Sequence, residues 1–201
     1  MNISAQQVKE LRDRTGIGMM DCKNALLESN GDIDKAIQIL RKKGIAKAEK
    51  RSNRDVNEGV IFSYIHPGNK LGVLLEVNCE TDFVAKNDGF LAFAKDISMH
   101  IAATNPLVIN RKEIDENILR KEREIYKEQA RSQNKPEKII DRIVEGKLEK
   151  FYQESCLLEQ PFVKDPQKTV KEYLTEAIAK TGENISISRF VRYQLGESIN
   201  N

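Results

Sequence analysis

Glu58-Gly-Val-Ile-Phe-Ser-Tyr-Ile-His-Pro-Gly-Asn-Lys-Leu-Gly-Val-Leu-Leu-Glu-Val-Asn-Cys79 is the stretch that decides the fold. Val60, Phe62 and Tyr64 alternate with Ile61, Ser63 and Ile65, the period of two that belongs to an extended strand. His66-Pro67-Gly68-Asn69-Lys70 is a turn. Leu71, Val73, Leu75, Val77 and Cys79 then alternate with Gly72, Leu74, Glu76 and Asn78, which predicts the return arm of an antiparallel hairpin with one buried face.

Working outward, Phe90, Phe93, Ala94, Ile97 and Ile101 make the apolar stripe of a helix that begins near Asp88 and ends before Asn105-Pro106, and that helix is expected to pack on the hairpin. Val170, Tyr173, Leu174, Ala177 and Ile178 predict a second helix, closed by Thr181-Gly182. Ile185, Ile187, Arg189, Val191, Tyr193 and Leu195 then alternate as a third strand. Three strands covered by helices make a small α+β layer, marginal alone, so dimerisation or partner binding is expected. Between these parts, residues 111–153 carry narrow apolar seams (Ile114, Ile118, Ile125; Ile139, Ile140, Ile143, Val144, Leu148, Phe151) broken by Ser132-Gln133-Asn134-Lys135-Pro136. That pattern predicts a protruding antiparallel coiled-coil hairpin.

Upstream, Ser4 and Gln7 have capping-box spacing, with Ala5, Val8 and Leu11 on one helix face ending near Thr15-Gly16. A second helix is expected from about Met19 to Ser29, and a third after Asp32, with Ile33, Ala36, Ile37 and Leu40 at helical spacing. Residues 1–44 are thus a three-helix unit, 45–56 a basic linker, 57–110 and 154–201 the α+β core, and 111–153 the arm. Arg41 to Arg54 holds seven basic residues and one acidic one, Glu49, a local charge of +6. No aromatic is interleaved there to stack a base, which favours a hydrated connector over a phosphate-tracking patch.

The 201 residues suffice for one domain or a domain with a small satellite, and 33 basic against 31 acidic side chains leave a net charge of +2. With 39% hydrophobic residues and both charge signs balanced, the chain is expected to fold rather than behave as a polyelectrolyte. No run of 18 apolar residues is present and the first residues lack the apolar core of a secretory signal, so the protein is expected to work where it is made. Cys22, Cys79 and Cys156 are odd in number and far apart, which points to neither disulfides nor zinc. These cysteines, with His66 and His100, read as structural. No phosphate-binding loop is found, and Gly16-Ile17-Gly18 is an incomplete dinucleotide fingerprint. One segment stands out: Thr81-Asp82-Phe83-Val84-Ala85-Lys86-Asn87-Asp88-Gly89 sets Phe83 and Val84 among polar residues in a strand-to-helix connection. By composition alone Phe83 reads as a core residue folded back on the sheet.

At these residues the chain resembles the translation elongation factor Ts family. The resemblance is carried by Val8-Lys9-Glu10-Leu11-Arg12-Asp13-Arg14-Thr15-Gly16-Ile17-Gly18-Met19-Met20-Asp21-Cys22-Lys23 and by Leu75-Glu76-Val77-Asn78-Cys79-Glu80-Thr81-Asp82-Phe83-Val84-Ala85. Met99-His100-Ile101-Ala102-Ala103, Val144-Glu145-Gly146-Lys147 and Gln160-Pro161-Phe162-Val163 extend it over nearly the whole chain. Ile17 stands where members usually have alanine, and Asn24 where they often have lysine. The run from Gly89 to Ala103 resembles the short form of the family, which lacks a second α/β repeat, and this implies a homodimer that restores the missing half.

The resemblance implies a non-enzymatic guanine-nucleotide exchange factor for the GTPase elongation factor Tu, binding its GDP form without a cofactor or metal of its own. Thr81, Asp82, Phe83 and Val84 would displace Mg²⁺ in the GTPase, with Phe83 as wedge, Asp82 as perturbing carboxylate, and Thr81 and Val84 shaping the loop. The N-terminal unit would be a ubiquitin-associated-like bundle docking through Leu11, Arg12, Met19 and Met20. Met19 and Met20 are soft side chains suited to a partner surface, Leu11 reads partly as core, and His100 reads as a structural histidine with a minor partner contact. A bacterial cytoplasmic setting is implied, or a plastid stroma if the gene is organellar, with neither membrane nor direct nucleic-acid contact. Two competing readings are RNA binding through 41–54, which predicts strong salt dependence, and a hydrolase using Cys79 with a histidine.

Overall fold

The computed structural model describes residues 3–197. In chain order these form α1 (Ala5–Thr15), α2 (Met19–Glu28), α3 (Ile33–Arg51), β1 (Glu58–Ile65), β2 (Leu71–Cys79), α4 (Asp82–Ala85), α5 (Asp88–Thr104), α6 (Glu116–Ser132), α7 (Glu137–Ser155), β3 (Pro161–Phe162), β4 (Asp165–Thr169), α8 (Val170–Thr181) and β5 (Ile185–Gln194). Short 3-10 turns lie at Arg111–Glu113 and Leu157–Glu159. The class is α+β, as the alternation and the helical stripes predict. The chain divides into two compact units: residues up to Phe62 with Leu75–Lys95 and Glu172–Ser188, and Ser63–Leu74 with Asp96–Lys171 and the residues from Arg189 on.

In the first unit, α1 starts at the expected capping box, Ser4 accepting from the Gln7 amide while the Gln7 side chain accepts from the Ser4 amide. It closes at Gly16, whose φ of +69° is the left-handed cap that glycine adopts without strain. Asp32 caps α3 by accepting from the Lys35 amide at 3.0 Å. Val8, Leu11, Cys22, Ala25, Leu26, Ala36 and Leu40 meet as the core of the three helices.

The structure extends α3 through Arg51, where a connector from residue 45 is expected. Alanines, lysines and a glutamate make 45–51 a strong helix former, Ala48 is buried, and Gly44 approaches α8 so closely that a Cβ there would stand 3.5 Å from the Ala179 methyl. Arg41 pairs with Glu172 at 2.5 Å and the Arg51 guanidinium donates to the Ile178 carbonyl at 3.3 Å.

The three-stranded sheet has the order β1-β2-β5. His66 N–H donates to the Leu71 carbonyl at 2.9 Å, closing the β1–β2 hairpin. Ile61, Ser63 and Ile65 thereby share a face with Gly72, Leu74 and Glu76. Gly59 has φ +151°, and a Cβ there would lie 2.2 Å from the Val77 carbonyl oxygen, so only glycine fits.

The third strand departs from the expected single alternation. Ile185 and Ile187 are buried, Ser188 and Arg189 are both exposed, and thereafter Phe190 and Arg192 are half-buried while Val191 and Tyr193 are exposed. The alternation slips by one at Ser188-Arg189, as an extra residue in a strand makes it do, and Val191, Tyr193 and Leu195 come out on the open side.

In the second unit, α6 and α7 pack antiparallel through Ala130, Ile140, Val144 and Leu148, flanked by Leu119, Tyr126, Ile143 and Tyr152. Arg111 anchors the root of this hairpin by pairing with Glu149 and Glu159 and lying 4.4 Å over the Tyr152 ring. The β3–β4 pair, with Phe162 opposite Asp165 and Pro161 opposite Thr169, is a small feature the alternation does not announce.

Candidate functional site

The chain leaves β2 at Cys79, turns at Glu80 and Thr81, and forms the single helical turn α4. Thr81 is its N-cap: extended at φ −130°, ψ 154°, its hydroxyl oxygen accepts from the Val84 amide at 3.3 Å. One turn of helix does not hold itself, because nucleation fixes several dihedrals for a single hydrogen bond. Side chains therefore hold it. Val84 and Ala85 are buried beneath it. Phe83 points the other way and is 78% exposed. The expectation that composition alone supports, an aromatic folded into its own core, is overturned: with Val84 and Ala85 both facing inward, Phe83, roughly 100° and 200° away from them around the helix, lies on the opposite side.

Thr81 and Glu80 are fastened by the segment after α8. Glu183 accepts from the Thr81 amide at 3.1 Å and from the Thr81 hydroxyl at 2.7 Å. Glu80 in turn accepts from the Asn184 amide at 2.6 Å, the chief reason its carboxyl lies below the usual range, with Arg54 adding an ion pair at 3.3 Å. The buried Asn184 amide group donates to the Arg54 carbonyl at 2.9 Å. Asp82 is exposed and pairs one turn on with Lys86 at 2.7 Å, which lowers its pKa and raises that of Lys86. The acid beside the ring thus stays ionised at neutral pH.

Cys79 is sealed below. Its thiol donates to the Thr81 carbonyl at 3.1 Å, and burial, with the Glu183 charge as a second cause, raises its pKa, which opposes a nucleophilic role.

The other expected contact residues divide. Met19 and Met20, at the start of α2, are 45% and 67% exposed, and Arg12 is exposed on α1. Leu11 is fully buried in the three-helix core. His100 is fully buried in the second unit, where its Nδ1 accepts from the Val163 amide at 3.2 Å and its Nε2 lies 2.8 Å from Gln160 Oε1. Since Nδ1 accepts, Nε2 carries the proton and donates to Gln160, which also accepts from Thr104 at 2.8 Å. Burial pushes the His100 pKa down, against the opposing Gln160 bond. Neither Leu11 nor His100 presents a surface to a partner, contrary to the contact expected of them. Both positions obey the apolar periodicity of their helices, which is a signal for burial.

No sequence pattern marks Glu183, Glu80 and Arg54 as parts of this brace. The Glu183–Thr81 contact spans 102 residues, and no local pattern marks it. Within the basic stretch, Arg41, Lys43 and Lys47 pair with Glu172, Glu28 and Asp21, Arg54 with Glu80, and Arg51 with a carbonyl, so five of its seven cations are engaged inside the chain.

The candidate site is thus an outward aromatic on a braced turn of a small α+β protein. The profile of the family described as Elongation factor TS matches residues 4–197. Elongation factor Ts of Thermoanaerobacter sp. (strain X514) is 60% identical over 98% of this chain and 97% of its own length. The proteins of that name from Caldanaerobacter subterraneus subsp. tengcongensis and Fervidobacterium nodosum are 60% and 58% identical, each over 98% of this chain and over 98% and 100% of their own lengths. The chain belongs to the elongation factor Ts family. Among the described residues no helix is long and apolar enough to cross a membrane.

Proposed function

We propose that this chain is the guanine-nucleotide exchange factor of elongation factor Tu, acting in the bacterial cytoplasm without covalent chemistry of its own. A GTPase holds GDP through its phosphate loop and a Mg²⁺ on the β-phosphate, and release is slow because these contacts break together. A partner that binds the distorted, metal-free state more tightly than the GDP state lowers nucleotide affinity, and GDP lowers the partner's affinity by the same factor. Phe83 inserts as the wedge, and the ionised Asp82 next to it opposes the charge arrangement around the metal. Thr81 and Val84 hold the turn. Arg12, Met19 and Met20 form the docking surface of the N-terminal helices, with Leu11 fixing α1 beneath them.

The observation that carries this reading is Phe83, an aromatic side chain 78% exposed on a turn braced from below. The test is release of fluorescent GDP from elongation factor Tu: the intact chain accelerates it, and Phe83→Ala loses most of the acceleration. A folded Phe83→Ala variant as fast as the parent removes the wedge. RNA binding through 41–54 is disfavoured because most of that charge already has partners in the chain.

The same reading includes a homodimer. In the second unit Ile65, Leu74, Val191 and Tyr193 are exposed on the strands and Leu195 just after the last of them, an apolar set that a second copy would cover. Sedimentation of the intact chain checks it, with a monomer at all concentrations as the refuting result.

A further inference from the structure

Glu183 lies outside the segment that carries the finger, yet a single carboxylate takes both hydrogen-bond donors of Thr81. We propose that Glu183 is a positioning residue for nucleotide exchange: it orients the Thr81 hydroxyl so that its lone pair caps α4 and presents Phe83, a role that rests on the exchange reading above. A threonine hydroxyl rotates freely and has one proton to give. With that proton committed to Glu183 at 2.7 Å, the remaining lone pairs include one facing the Val84 amide at 3.3 Å. The Thr81 amide, directed at the second carboxylate oxygen at 3.1 Å, fixes the peptide entering the turn.

The neighbouring residues repeat the arrangement in reverse. Asn184 gives its amide to the Glu80 carboxylate at 2.6 Å, so residues 80–81 and 183–184 each supply one acid and receive the other's backbone donor. Two reciprocal carboxylate–amide contacts resist both sliding and rotation of the finger's root. Bonds from donors to an ionised acceptor are also the stronger kind. The clasp therefore matters for where the ring stands when a partner arrives, and less for whether the chain folds, since the packing under α4 is supplied by Val84 and Ala85.

The experiment follows GDP release from elongation factor Tu as a function of factor concentration for the parent, Glu183→Ala, Glu183→Gln and Thr81→Val, each also in a Phe83→Ala background. Glu183→Ala is expected to lower the maximal exchange rate roughly tenfold, within the loss that displacement of a positioned group by about 1 Å produces. Its half-saturating concentration changes less, because docking through Arg12, Met19 and Met20 is untouched. Thr81→Val, which keeps the shape and loses the hydroxyl, reproduces the effect, and Glu183→Gln, which keeps one acceptor, falls between. With Phe83 absent, Glu183→Ala adds no further loss.

Parent-like exchange by Glu183→Ala, or an equal loss whether or not Phe83 is present, overturns the positioning role. If Phe83→Ala alone exchanges at the parent rate, it is the finger reading that fails, and the two failures are thereby told apart.

Discussion

Phe83 and His100 are mirror images in polarity. The first is an apolar ring standing in water, the second a polar ring sealed in the interior. Each is held from far along the chain: Glu183 accepts from the turn under Phe83, while Gln160 as acceptor and the Val163 amide as donor fix His100. The difference lies in what the brace acts upon. Around Phe83 the hydrogen bonds end on the Thr81 amide and hydroxyl and leave the ring free. Around His100 they end on the ring itself and consume both of its nitrogens. A site side chain is recognised by what it has left to offer after its own fold has taken its share.

The largest effect expected from breaking this contrast is on function at Phe83. Loss of an aromatic anchor at the centre of an interface costs on the order of 2–4 kcal/mol of differential binding, which is roughly 30- to 1,000-fold in exchange. Thermal melting of Phe83→Ala stays close to the parent, because the ring is not packed in the free chain. A variant that exchanges slowly only because it has unfolded at the assay temperature makes the contrast void.

At His100 the expected outcome is reversed. His100→Ala takes one donor from Gln160, takes the acceptor from the Val163 amide and opens a cavity, a cost of about 2–4 kcal/mol in unfolding free energy. Exchange by the fraction that stays folded in the cold remains near the parent value. Protonation is the gentler version of the same break. The His100 pKa is lowered by burial in the folded chain, whereas the unfolded chain titrates at about 6.5. Between these values the unfolded state binds more protons, so the stability His100 confers is complete above about pH 6.5 and declines as pH falls through that window. Denaturant titrations at several pH values read this directly, and a His100→Gln variant is expected to flatten that part of the profile. An unchanged slope in the variant assigns the pH dependence to other groups.

The parts of the molecule that were legible in the chain are those where a local period settles the outcome. The alternation in 58–79 carries the hairpin, and Ser4 with Gln7 carries the first helix start, because each depends on neighbours within a few residues. Phe83 stands out because the alternation stops there among polar residues, although composition favours burying it. The continuation of α3 through Arg51 was hidden by its charge, which reads as a solvated linker until acids from α2 and α8 come into range. The slip in β5 leaves no mark on a string whose apolar residues keep their period of two through Leu195. Glu183 was illegible for the plainest reason: contacts between residues 81 and 183 have no sequence signature without a fold to join them.

Cys79 gives the smallest and most discriminating effect. It lies between the two regimes, buried like His100 and one hydrogen bond from the finger's root, so it tests whether proximity to Thr81 is enough to matter. A thiol is a weak donor, and the Thr81 backbone is already fixed through its amide by Glu183. Cys79→Ala therefore loses mainly buried volume, about 1 kcal/mol of stability, and keeps exchange within about twofold of the parent, a factor of two being less than half a kcal/mol. Because burial raises its pKa, the folded chain should resist alkylation at Cys79 until denaturant opens the core. Rapid labelling of the native chain with loss of exchange would return the cysteine to the candidate site and place the active group one residue layer below the ring.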